Sequence, residues 1–275
     1  MCFRLFHCRR TDGLQLSPKH LPNGAQMRCV WVENGVRLGP KRKTAGTKTG
    51  NKSADNTEKL RNFVQTNKKH MKIFCIASNY ASHNKERADA LYITERPVVF
   101  LKADSSLLKP GKPFFVPDHM GRIDFEAEVV IRICRLGKNI PQRFAYRYYD
   151  ALTLGIDFTA RELQQRLKQE GQPWELSKAF DSSAAIGCWV EKEYFKNISH
   201  LPFRLEVNGE TRQKAHTSDM LRSIDELIAY ISQFFTLKTG DMLFTGTPAG
   251  SGEIHIGDLL EGYLDDKKVM QLRCK

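Results

Sequence analysis

The segment 122–134, RIDFEAEVVIRIC, decides how the chain is read. In an extended strand residues i and i+2 project to one face, so Asp124, Glu126 and Glu128 share one side while Phe125, Ala127 and Val129 share the other. The apolar VVIRIC that follows predicts one strand running into a core and carrying those carboxylates inward. Carboxylates are hard oxygen donors, and two on one face can hold Mg2+, Mn2+ or Ca2+ if a third arrives from elsewhere. An isolated E-x-E is more often a solvated strand face, so the pattern needs a partner.

The partner is sought in GIDFTARELQ, 155–164, where Asp157 closes an apolar run. A buried, unpaired carboxylate there would carry a large desolvation cost. Asp157, Arg161 and Gln164 fall at i, i+4 and i+7, one face of the helix predicted to follow, with an N-cap as the simpler role for Asp157. In NYASHNKE, 79–86, His83 and Glu86 stand three apart on a predicted short helix. That spacing lets a carboxylate orient an imidazole that deprotonates water, although such a pair is commonly just solvated surface. Lys178, in the small and apolar setting of QPWELSKAFD, offers positive charge to an anionic substrate or enolate. In TGTPAG, 245–250, glycine permits close backbone approach, so the Gly246 segment and the Thr247 hydroxyl are candidates for contact with an oxyanion, or else form a plain strand-ending turn.

Around these motifs the pattern predicts strands joined by short helices, without a βαβ repeat, and hence a mixed α/β fold that is mainly β. KIFCIA and PVVFLK read as strands, and RLEVNGETRQ as a hairpin turning at Asn208-Gly209. SIDELIAYISQFF reads as a helix with a capping box from Ser223 to Glu226. YYDALTLGIDFTARELQQRLKQEG reads as a helix, a short strand LTLGID and a second helix.

The net charge of +12 is unevenly placed: residues 1–70 carry 15 of the 43 Lys and Arg but 4 of the 31 Asp and Glu. The remainder is nearly balanced, so a nucleic-acid partner, which the net charge alone suggests, is disfavoured for the main domain. Residues 1–70 show no sustained period of 2 or 3.6 and are expected to be a basic, disordered extension, with a catalytic domain over 71–275. Of a transit peptide, a nucleic-acid arm and a start at Met71, the abrupt change at MKIFCIASNY favours the last. Seven cysteines, an odd number without a CxxC pair, fit a reducing, cytoplasmic setting, and no window approaches the ~18 apolar residues of a membrane span.

Taken in order from about residue 71 to 262, NYASH with Glu86, PVVFLK, DFEAEVVI, GIDFTARELQ, GQPWELSKAFD, VNGETRQ and GDMLFTGTPAGSG resemble the fumarylacetoacetate hydrolase family. They are most similar to its short acylpyruvase and oxaloacetate decarboxylase or tautomerase branch. The resemblance implies a β-roll with short flanking helices, a homodimer, and Mg2+ or Mn2+ on Glu126, Glu128 and Asp157. It implies a water-activating dyad of His83 and Glu86 on a segment that closes over substrate, Lys178 stabilising negative charge, and Arg161, Gln164, Gly246 and Thr247 contacting substrate. Asp124 is left as a neighbour of the site. The implied activity is cleavage or enolisation of a small 2-oxo acid: acylpyruvate hydrolysis, or oxaloacetate decarboxylation or tautomerisation. Isomerisation or decarboxylation of 2-hydroxy-dienedioates is the alternative. Ala77 and Ser78 depart from the Gly-Arg that commonly precedes Asn-Tyr in the family, which leaves the substrate range open.

Overall fold

In the computed structural model, which describes residues 71–86 and 95–275, the segment quoted first is two strands and not one. The expected basic extension, residues 1–70, lies outside the described residues. The described chain runs β1 (Ile73–Ala77), α1 (Ala81–Glu86), β2 (Val98–Lys102), β3 (Ile123–Phe125), β4 (Ala127–Ile133), α2 (Gln142–Ala145) and β5 (Tyr149–Asp157). Then come β6 (Thr159–Ala160), α3 (Arg161–Gln169), α4 (Glu175–Lys178), β7 (Ala184–Ile186), β8 (Val190–Glu191), β9 (Pro202–Val207) and β10 (Glu210–His216). The chain ends with α5 (Ile224–Phe234), β11 (Met242–Phe244), β12 (Gly252–Glu253), β13 (Leu259–Leu264) and β14 (Lys267–Arg273).

The strand breaks at Glu126 because its two halves serve different sheets. β3 lies between β12 and β6 in a three-stranded sheet, whereas β4 lies between β11 and β5 in a seven-stranded one. At the break the Ala127 N–H leaves the ladder and donates to the Gln213 side chain at 2.9 Å, while the Glu126 carbonyl accepts from Asp157 N–H at 2.8 Å. Beyond the break the period-2 pattern holds. Ala127, Val129, Ile131 and Ile133 enter the main core; on the other face Glu128 is followed by Val130, which joins Ile73, Cys75 and Phe244 in a smaller cluster.

The seven-stranded sheet has the order β2-β1-β11-β4-β5-β7, with β8 also on β5, and its β1–β11 pair is parallel. A four-stranded antiparallel sheet, β10-β9-β13-β14, completes the roll. The β9–β10 hairpin turns as predicted at Asn208-Gly209, both at positive φ (54° and 85°), as a tight twisted turn requires. The α5 capping box is present in both directions between Ser223 and Glu226. The fold is thus mixed α/β and mostly strand, with few helices.

One expectation fails at the β5–α3 junction. Asp157 neither caps α3 nor lies on its face: it ends β5, a nine-residue strand, and β6 intervenes. The cause is β3, whose pairs Ile123↔Ala160 and Asp124↔Thr159 keep the chain extended until Arg161. The helix then starts at Arg161, with Ala160 at the N-cap position and no side-chain cap.

Candidate metal centre and active site

Glu126 stands at the strand break, Glu128 on β4 and Asp157 at the end of the adjoining β5, in the register Ala127↔Ile156 and Glu128↔Gly155. One carboxylate oxygen from each lies within 4.8 Å of the others, and all three residues are buried. Such a cluster is costly unless opposite charge is buried with it. Lys178 Nζ, on α4, donates to Glu126 Oε2 at 2.7 Å, Asp157 Oδ2 at 2.9 Å and Thr159 Oγ1 at 2.6 Å. Burial alone would lower its pKa, but Asp157 and Glu126 outweigh burial and hold the ammonium above its ordinary value. Arg161 donates from Nε to Asp124 Oδ2 at 2.8 Å, from Nη1 to Gln164 Oε1 at 2.6 Å, and from Nη2 to Glu126 Oε1. Asp124, also held by Arg122 at 2.6 Å, therefore aims Arg161 and stands beside the site.

Glu128 is the carboxylate least compensated by these cations. Its Oε2 accepts the Gly246 N–H at 2.6 Å, yet burial first and Asp157 second push its pKa well above the usual carboxylate range. Asp157 Oδ1 lies 2.8 Å from Lys102 Nζ as an ion pair but receives no hydrogen bond there. Three clustered hard oxygens with one carboxylate under-compensated and another short of hydrogen bonds fit a divalent cation of the Mg2+ or Mn2+ type.

The triad opens on a pocket also lined by His83, Arg161, Gln164, Lys178 and Thr247, with Phe100, Trp174 and Lys168 among its other lining residues. His83 is buried on α1, which Asn79 fastens in place. Asn79 Nδ2 donates to the Thr245 and Arg222 carbonyls at 2.8 and 3.1 Å, and its Oδ1 accepts the Arg222 N–H at 2.8 Å. Glu86 ends α1, but its side chain lies outside the described residues, so the proposed dyad is seen only from the His83 side. Ala77 and Ser78, the departures from the family pattern, both line the pocket.

Two assignments shift. The Gly246 N–H, expected to reach substrate, is spent on Glu128. Gly246 has φ +97°, and a Cβ there would meet Asn79 Cβ at 2.8 Å, so the loop needs glycine for both conformation and space. Lys178 has all three N–H groups engaged by the carboxylates and Thr159, so its charge neutralises the cluster from within.

Lys102, Gln213 and Asn79 carry no role in the sequence reading, although each lies in a quoted motif. Lys102, like Asp157, is a charge closing an apolar strand, and the same signal marks both. Gln213 shares the inward face of β10 with Ala215, a polar residue at a core position of the alternation.

Known proteins resemble this chain over most of its described length. Residues 72–275 match the family described as fumarylacetoacetate (FAA) hydrolase C-terminal. The chain is 36% identical over 203 residues to the mitochondrial oxaloacetate tautomerase of Mus musculus, covering 74% of this chain and 91% of that one. It is 37% identical over 195 residues to an oxaloacetate tautomerase of Escherichia coli, covering 70% and 88%. Among solved structures, fumarylpyruvate hydrolase from Pseudomonas aeruginosa in complex with Mn2+ and pyruvate is similar with a TM-score of 0.69 and 32% identity, covering 74% of this chain and 89% of that one. With the family match, the sequence relatives and the solved folds in agreement, the chain is an enzyme and belongs to the fumarylacetoacetate hydrolase family.

Proposed function

We propose that the protein binds Mg2+ or Mn2+ on Glu126, Glu128 and Asp157 and acts on small 2-oxo acids, with keto–enol tautomerisation of oxaloacetate as its principal reaction. The observation that carries this reading is the opening of the buried carboxylate triad onto the same pocket as His83 and Arg161. The two relatives named as oxaloacetate tautomerases support the choice of reaction. When bound, the cation supplies Lewis-acid charge that makes the enolate of a 2-oxo acid accessible.

The chain's own groups divide the remaining work. Arg161 spends three of its five N–H groups on Asp124, Gln164 and Glu126, which fixes its plane and leaves two for a substrate carboxylate. Because Gln164 Oε1 accepts from Arg161, the Nε2 end is the one left to donate to substrate. Tautomerisation from enol to ketone removes the proton of the 2-hydroxyl and places one on C3; His83, buried in the pocket wall, is the group assigned to that proton. Phe100 and Trp174, with rings 6.4 Å apart, add an apolar wall that limits water near the reacting carbon.

A second reading is hydrolysis of acylpyruvates. It is favoured by the same position of His83, which could take a proton from water as the water adds to the 4-carbonyl; the C3–C4 bond then breaks, the acyl part leaves as its carboxylic acid, and the electron pair leaves as pyruvate enolate, which is protonated at C3. The likeness to a fumarylpyruvate hydrolase supports it too. The test is to follow decay of enol-oxaloacetate absorbance, and pyruvate release from oxaloacetate and acetylpyruvate, in EDTA and after Mn2+ is restored. Turnover that EDTA does not touch would remove the metal from the proposal. His83→Ala is expected to slow turnover by about 10²–10⁴-fold with Mn2+ binding unchanged. An equal loss of Mn2+ binding would remove His83 from its role as a base.

A further inference from the structure

We infer that Gln213 is a positioning residue that compels the Thr247 hydroxyl to act as a hydrogen-bond donor into the pocket. Gln213 comes from β10 of the four-stranded sheet and is 1% exposed. Its Oε1 accepts the Ala127 N–H at 2.9 Å, and its Nε2 donates to Thr247 Oγ1 and to the Pro248 carbonyl, both at 2.8 Å.

These partners remove the usual ambiguity between the two ends of a side-chain amide. A backbone N–H only donates and a backbone carbonyl only accepts, so Oε1 must face Ala127 and Nε2 must face Pro248. Both Nε2 protons are then spent, and Thr247 Oγ1 is fixed as an acceptor on that side. Its own proton must point elsewhere. Thr247 is buried and lines the pocket beside Glu128 and His83. A preset donor next to a carboxylate triad is what a developing enolate oxygen needs, since it acts without reorganising when the charge forms.

Gln213 also ties Ala127, which lies between two of the carboxylates, to the 247–248 loop, and simple fastening would account for the same bonds. The two roles differ in what they predict. In Gln213→Glu one carboxylate oxygen still accepts from Ala127, but the other accepts where Nε2 donated. The Thr247 proton would turn toward it, leaving only lone pairs to face the substrate. Thr247→Val removes the hydroxyl outright.

This inference rests on the 2-oxo acid reading, so the experiment includes the wild-type protein with Mn2+, tested for turnover of enol-oxaloacetate and for affinity toward pyruvate. Gln213→Glu and Thr247→Val are each expected to lose about 100-fold in kcat/KM. Because both remove one donor, the double variant is expected to lose no more than either alone. Mn2+ affinity, a readout that loosened carboxylates would shift, is expected to match wild type in all three. If Gln213→Glu fails to fold, Gln213→Met takes its place and is expected to show the same non-additivity with Thr247→Val. Multiplying losses, or a Gln213 variant within about 2-fold of wild type while Thr247→Val falls, would overturn the positioning role alone. A wild-type protein that neither turns over enol-oxaloacetate nor binds pyruvate would overturn the functional reading and this inference with it.

Discussion

A Glu128→Gln protein is expected to lose Mn2+ affinity by at least about 100-fold, since second-shell changes alone cost 10–100-fold, and yet to melt higher than wild type when metal-free. Glu128 is buried against β5, takes one N–H from Gly246, and meets Asp157 and Glu126 as like charges. Burial and Asp157 place its folded-state pKa above the unfolded value. The sign follows: a carboxyl whose pKa rises on folding favours the folded state only while protonated, so at neutral pH its ionised form opposes folding. Glutamine keeps the shape, still accepts from Gly246, and can donate to a neighbouring carboxylate. The variant therefore exchanges function for stability, as expected where a site is built from groups the fold would prefer neutral. Calorimetric Mn2+ titration and thermal melts in EDTA check both halves. Retained affinity would remove Glu128 from the ligand set, and a lower melting temperature would refute the electrostatic account.

Lys102→Met is expected to destabilise the metal-free protein by about 3–5 kcal/mol, the range for breaking a buried ion pair from one side. Lys102 is buried at the end of β2, with Nζ 2.8 Å from Asp157 Oδ1. It also donates to the Ser183 carbonyl at 3.2 Å, to Ser183 Oγ at 3.0 Å and to the Lys178 carbonyl. Methionine fills similar space but leaves these acceptors without their donor and Asp157 without one of its two cations. The Lys178 backbone, which Lys102 anchors, would shift along with the ammonium that bridges Glu126 and Asp157. Saturating Mn2+ is expected to restore part of the loss, because binding to the folded state stabilises it and supplies positive charge at the same carboxylates. Urea unfolding with and without Mn2+ measures both effects; a loss below about 1 kcal/mol would place Lys102 among weak surface-like pairs.

Much of the fold was legible because local chemistry announced it. The Asn208-Gly209 turn and the Ser223–Glu226 cap depend on neighbours within four residues, and both stand as read. The strand break at Glu126 was not legible, because alternation reports which face a residue takes and not which sheet it joins. Asp157 shows the same limit: a strand end followed by a helix looks like an N-cap until β3 pairs with Thr159 and Ala160. The C-terminal β13–β14 hairpin went unread, and its turn at Asp265, with φ 53°, lacks the Asn-Gly signature. In the site, the triad and the pocket lining came from side chains of the expected type. The partners that fix them, Lys102, Asn79 and Gln213, act over separations from 34 residues for Gln213 and Thr247 to 166 for Asn79 and Thr245. Nothing local marks such a partner beyond a polar group at a position the alternation turns inward.

The sheet order also implies an order of assembly. β4 and β5 are consecutive strands, with α2 between them, and together carry Glu128 and Asp157, whereas β1 meets β11 in parallel across a gap like the 169 residues between Lys72 and Asp241. Closing so long a loop costs entropy before its contacts reward it, so such pairings form late. The wall bearing His83 and Thr247 hangs on that closure, through β1 before Asn79 and β11 before Gly246. The cation-binding half of the pocket is therefore a local product of the chain, and the proton-handling half a long-range one. Amide exchange of β4 and β5 slower than that of β1 would bear this out, and the reverse order would refute it.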